Sequence, residues 1–181
     1  TQHFNLGKFF NNKDLGNASF DGSIDGYSFT LDKLKTTLTG NFNSLEFLGY
    51  NYTNLDFNGV MQKQKFNGDF KADDPNFSFT STVEVDLSGK EPRKNVLGDL
   101  ALARFQNLKL TKDKIEITGL FDLNFEGSNI DEFIGSAKIL NATLLHDSTR
   151  LDFDSLAVNA FYDSVKGKTL SAVSNQFEAE V

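Results

Sequence analysis

The chain has no cysteine, no tryptophan, two prolines and one methionine among its 181 residues. Without cysteine there is no disulfide and no thiolate chemistry, and redox compartment leaves no mark on the sequence. His3 and His146 are the only histidines, too few for a zinc site. Lys and Arg number 18 against 25 Asp and Glu, a net charge of −7, and the cations form no run. That excludes nucleic acid as a partner, since phosphate backbones are met by clustered cations, and it offers anionic lipid surfaces no polybasic segment. No stretch approaches the roughly 18 consecutive apolar residues of a membrane-spanning helix. No segment sustains a 3.6-residue period, so long helices are excluded as well. The chain opens on Thr1 without a signal-peptide pattern. The expectation is that residues 1–181 form a single section of a larger protein.

Catalytic signatures are missing too. There is no G-x-S-x-G elbow, no P-loop and no dinucleotide fingerprint. Asp21, Asp25, Asp86, Asp122, Asp152 and Asp154 fall at alternating polar positions, the ordinary solvated face of strands. Asp73-Asp74-Pro75-Asn76 reads as a turn, with Pro presetting φ and the acids bonding local backbone, not as a metal site. The N-x-S/T triplets at Asn17, Asn51, Asn76 and Asn141 follow from strand faces rich in Asn, Ser and Thr. The expectation is therefore no enzyme: no catalytic residue, no metal and no cofactor.

What the chain does have is 19 phenylalanines and 14 glycines. Residues 113–139 show how they are used. Ile115, Ile117, Gly119, Phe121, Leu123, Phe125 and Gly127 alternate with Glu116, Thr118, Asp122, Asn124 and Glu126; Leu120 alone breaks the pattern. Alternation of this kind is a strand with one apolar and one wet face. Asn129 to Gly135 then reads as one helical turn, with Phe133 and Ile134 facing in. Strands are expected at 16–26, around Leu38 and Phe42, and through a hairpin formed by Leu55–Met61 and Phe66–Ala72 about a turn at 62–65. Further strands are expected at 77–87, 136–145, 149–162 and 168–181, with residues 96–110 a strand, a kink and a connector. Gly89–Lys94 is the most polar loop, and Leu6, Phe9 and Phe10 belong to a short helical or irregular opening. An apolar-polar-Gly triplet recurs without fixed period at Phe20, Leu38, Phe57, Phe66, Leu87, Ile117 and Phe125. Glycine on the apolar face of successive strands lets a sheet bend strongly.

A sheet with one apolar face must cover it, because each exposed Phe or Leu forgoes roughly 1.5–3 kcal/mol. No helix here is long enough to do so. Closure into a sandwich or barrel is one solution. The other is a sheet curled into an open trough that takes an apolar ligand, such as an acyl chain. The fold class expected is all-β, a curled antiparallel sheet (a β-taco with an open hydrophobic trough) with one or two single-turn helices. The residues expected to line the trough are Phe20, Ile24, Phe57, Phe66, Phe70, Phe79, Val83, Val85, Ile117, Phe121, Leu123 and Phe125. The open ends of such a sheet are expected to pair with other molecules, copies of the same chain included.

The runs LGNASFDGSIDG at 15–26, LTGNFNSLEFLGYNYTNLDFNGVMQKQKFNGDFKADDPNFSFTSTVEVDLSG at 38–89 and FDLNFEGSNIDEFIGSAKILNATLLHDSTRLDFDSLAVNA at 121–160 resemble the TamB/AsmA-like family, its Bacteroidetes-type TamB members most of all. The resemblance implies a long periplasmic protein anchored by an N-terminal helix in the inner membrane, its body an extended β-sheet curled around a hydrophobic trough. It implies a role in moving phospholipid towards the outer membrane, and earlier assignments of such proteins were to assembly of outer-membrane barrels and autotransporters. It implies phospholipid acyl chains as ligand and an outer-membrane barrel protein as partner, met through parts of the full-length chain outside 1–181. The rival expectation is a chaperone-like module that binds unfolded outer-membrane strands by edge addition.

Overall fold

A computed structural model describes residues 2–27, 35–127, 134–165, 167–175 and 178–180. The helical turn expected to begin at Asn129, with Phe133, lies outside these residues. A two-residue strand β1 (Phe4–Asn5) leads into α1 (Leu6–Phe10), then β2 (Leu15–Tyr27), β3 (Lys35–Phe47) and β4 (Tyr50–Tyr52). The centre is built from β5 (Leu55–Gln62), β6 (Lys65–Asp74), β7 (Phe77–Asp86), β8 (Arg93–Arg104) and β9 (Ile115–Glu126). The chain continues through β10 (Ile134–His146), β11 (Thr149–Asp163), β12 (Gly167–Ser174) and β13 (Glu178–Glu180). Strand follows strand in antiparallel order across one 13-stranded sheet; only β4 leaves the path, doubling back on the end of β3. The sheet is curled and does not close. In α1, the Asn5 side chain caps the Lys8 amide at 2.7 Å and Asn11 ends the turn in the left-handed region.

Turn chemistry sets the registers. Lys63 and Gln64 both have positive φ (49° and 63°), so the turn expected over 62–65 tightens to two residues. Leu48-Gly49 does the same between β3 and β4. Loops with two positive-φ residues twist in the sense that paired strands twist, which is why they serve short hairpins. The strand expected over 168–181 is broken after Ser174: β13 turns back to pair with β12, Glu178 opposite Val173. Ser174-Asn175 is turn-prone sequence, and alternation continuing on both sides hid the reversal. Arg93 and Lys94, expected in a loop, open β8.

The bend is written in bulges. Register shifts occur between Ser78 and Phe79, between Leu100 and Ala103, and between Leu140 and Thr143, at neighbouring positions across β7 to β10. An extra residue on one strand raises local twist and turns the sheet. Gly119 lies on this line with φ 151°, and a Cβ there would meet the Ala142 Cα at 3.1 Å.

The core sits at one end of the apolar face. Tyr52, Leu55, Ala72, Leu100, Ala103 and Leu108 are buried together, with Phe70, Phe77, Phe79, Phe105 and Phe121 packed against them. Leu108 does not belong to the sheet. It sits in a tight turn after β8, its amide bonded to the Arg104 carbonyl at 3.0 Å, with Leu110 N bonded to the Phe105 carbonyl at 3.0 Å. This corrects the expectation that nothing in the chain covers the apolar face: the segment from Phe105 to Leu110 covers one end of it. A cover this short shows no period that a sequence pattern can reveal.

Candidate functional site

The registers bring all of the residues expected to line a trough onto one face. Phe20 pairs with Phe42, Ile24 with Leu38, Phe57 with Phe70, and Phe66 with Val85. Val83 pairs with Val96, Phe79 with Leu100, and Ile117 with Ala103. Phe121, Leu123 and Phe125 face Gly98, Val96 and Lys94. The residues are not equivalent, however. Phe70, Phe79, Ile117 and Phe121 pack on the core, whereas Val83, Val85, Leu123 and Phe125 are half-buried towards the other end. Ile24 is 78% exposed, near the end of β2. Ile134, expected to face inward, pairs with Glu126 and stands on the polar face.

The rings and glycines are matched across strands. Phe20, Phe42 and Phe57 form a ladder with centroids 5.4 and 5.6 Å apart, and Phe77, Phe79 and Phe70 form another at 5.8 and 6.4 Å. These spacings are those of favourable tilted aromatic pairs. A Cβ on Gly40 would come within 2.5 Å of the Phe57 ring, and one on Gly59 or Gly98 equally close to Phe66 or Phe79. At Gly40, Gly59 and Gly98 a neighbouring ring therefore lies against the backbone, the arrangement by which aromatic residues compensate for glycine in a strand.

At the core end the face lines an open cavity of about 570 Å³. Of its lining side chains, Tyr52 alone carries a polar atom; Leu55, Phe70, Leu100, Phe105, Ile117 and Phe121 supply much of the rest. Volumes of a few hundred Å³ with apolar walls are the range of small-molecule and acyl sites. A second depression of about 830 Å³ lies on the opposite, polar face, where Asp56 and Asn58, Asp69 and Lys71, Thr80 and Thr82, Leu97 and Asp99, and Leu120 and Asp122 flank it on successive strands. The hydroxyl of Ser81 is buried and has no hydrogen-bond partner within the protein.

A polar knot closes the same end. The Asp74 carboxylate accepts from Tyr50 Oη at 2.7 Å, Asn76 N at 2.8 Å, and Thr53 N and Oγ1 at 3.0 Å each. Asn76 Nδ2 donates to Tyr50 Oη at 3.0 Å, and Asn107 Nδ2 to Asn76 Oδ1 at 2.9 Å, which ties the covering segment to the turn. Burial alone would raise the Asp74 carboxyl, but the hydrogen bonds from Tyr50, Asn76 and Thr53 outweigh it and hold it below the ordinary carboxylate value. Burial, with Asp74 close by, pushes the phenols of Tyr50 and Tyr52 up. The Asp-Asp-Pro-Asn turn is thus a structural anchor whose Asp74 carboxylate accepts four hydrogen bonds; among the described residues no cluster of His, Asp and Glu is placed to hold a metal ion.

At the far end the polar face carries two ion pairs in one row, Lys65 with Asp86 at 2.8 Å and Arg93 with Glu126 at 2.7 Å. Lys65, then Ser88, holds the Asp86 carboxyl well below its usual range. On the apolar face of the adjacent row stands Lys94, its Nζ 5.3 Å from the centroid of the Phe125 ring. Sequence reasoning missed Leu45, Phe47, Leu55, Leu100, Phe105 and Leu108 as wall residues. Bulges shift the parity of Leu45 and Phe47, and Leu55 and Leu100 were legible in the alternation of β5 and β8. Comparison with protein-family models, curated proteins and solved structures finds no match for the chain.

Proposed function

We propose that the apolar face of this curled sheet carries phospholipid acyl chains, and that the chain is one section of a periplasm-spanning conduit between the inner and outer membranes. One observation supports this reading above the others: the sheet does not close, yet one end of its apolar face holds a cavity of about 570 Å³ walled almost wholly by hydrocarbon. Each CH₂ placed there gains at most about 0.8 kcal/mol. The resemblance of 15–26, 38–89 and 121–160 to the TamB/AsmA-like family points the same way. In this reading the full-length protein is tethered to the inner membrane and meets an outer-membrane barrel protein through parts outside 1–181. It performs no catalytic step and needs no metal or cofactor.

The second reading, an assembly chaperone that takes up unfolded outer-membrane strands by edge addition, draws on the same unclosed sheet, whose path ends at β1 and β13. Native mass spectrometry of the protein purified from bacterial membrane extract separates the two. The conduit reading expects bound phospholipid, lost in Phe121→Asp and in the half-buried Leu123→Asp while the Leu123 variant stays folded. No phospholipid on the wild type, or undiminished lipid on a folded Leu123→Asp, overturns it.

A further inference from the structure

Among the described residues of β5 to β9, two charged side chains fall on the apolar face, Asp74 at one end and Lys94 at the other. Asp74 is fully engaged by Tyr50, Thr53 and Asn76. Lys94 is different. It is half-buried, donates to the Gly127 carbonyl at 2.7 Å and lies over the Phe125 ring, but no described carboxylate pairs with it. Lys65 and Arg93, one residue away on the opposite face, are each taken by an acid. An ammonium has three donors, so Lys94 keeps two. They stand among Phe66, Val85 and Phe125, where an apolar surround strengthens any interaction with an anion. Leu100, a cavity wall, lies six residues along β8 from Lys94. That is about 20 Å of strand, enough for one acyl chain, which spans about half of a hydrocarbon core of about 30 Å.

We propose that Lys94 holds the phosphate of a glycerophospholipid whose acyl chains run along the apolar face towards the cavity at Leu55, Leu100 and Leu108. A lysine serves a phosphate as a point charge, and neither the neutral Gly127 carbonyl nor the ring cancels that charge. The assignment rests on the conduit reading and specifies which end of the lipid lies where. Its test is a fluorescence titration with pyrene-labelled phosphatidylglycerol and a diacylglycerol with the same chains, on the wild type and on Lys94→Gln, Lys94→Met, Lys94→Arg and the exposed control Lys112→Gln. The wild type, Lys94→Arg and Lys112→Gln prefer the phosphate-bearing lipid about fivefold, equivalent to about 1 kcal/mol. Lys94→Gln and Lys94→Met, which keep the apolar stem, lose the preference but still bind diacylglycerol as the wild type does. An unchanged preference in these two variants overturns the headgroup assignment and leaves the trough standing. Failure of the wild type to bind either lipid overturns the conduit reading, and this assignment with it.

Discussion

The two ends of the apolar face carry the same alternating sequence and reach different structures. At the end marked by Asp74, the segment from Phe105 to Leu110 lies over the strands, and Leu55, Leu100 and Leu108 are 3%, 7% and 1% exposed. At the end marked by Lys94, Val83, Val85, Leu123 and Phe125 have no such cover among the described residues and remain half-buried. Alternation decides which face is apolar. Whether that face becomes core or open surface is decided by what little chain is left over to lie on it.

The comparison can be broken most sharply at Leu108. Leu108→Ala removes the one large side chain among the described residues that is fully buried and should cost about 2–5 kcal/mol in denaturant unfolding, while Leu123→Ala at the other end should cost about 1 kcal/mol. Equal costs would mean that both ends are core. Next in size is the knot. Asp74→Asn weakens three partners of a buried carboxylate and should cost about 1.5–3 kcal/mol. The same group sets a pH dependence. Its folded pKa lies below the ordinary value, so the unfolded chain takes up the proton first. The Asp74 contribution is therefore complete above about pH 4 and fades as pH falls through the lower folded value. Melts across this range should show a smaller loss in Asp74→Asn than in the wild type, the remainder coming from other depressed carboxyls such as Asp86. The smallest effect is expected at Ser81, whose orphaned hydroxyl costs stability: Ser81→Ala should stabilise by up to about 1 kcal/mol. A destabilised variant would mean that the hydroxyl has a partner.

Much of this was legible in the sequence, and the failures have causes. Period-two alternation with Phe and Gly on one side suffices to read β5, β6, β7 and β9, because a strand's side chains must take opposite faces. Lys94 was read as loop because Gly89 to Arg93 is polar; only pairing with Val85 and Phe125 shows that it opens a strand on the apolar side. The covering role of Phe105 and Leu108 depends on a chain reversal after Arg104, and the hydrogen bonds that make it, from Asn107 to Asn76 and from Arg104 to the Pro75 carbonyl, join residues about thirty apart in sequence. Local pattern does not contain contacts of that range. The Asp-Asp-Pro-Asn turn was read correctly as a turn, but its grip on Tyr50 and Thr53 was not visible, for the same reason.

Lipid carriage by this sheet requires that the apolar face, and not the polar one, meet lipid. A photoreactive benzoyl-phenylalanine placed at Leu123, on the apolar face, and at Asp122, one residue away on the polar face, compares the two on a single strand. Irradiated with phospholipid vesicles, the protein labelled at 123 should yield a lipid adduct by mass spectrometry and the protein labelled at 122 should not. Equal labelling at both positions, or none at 123, would contradict it.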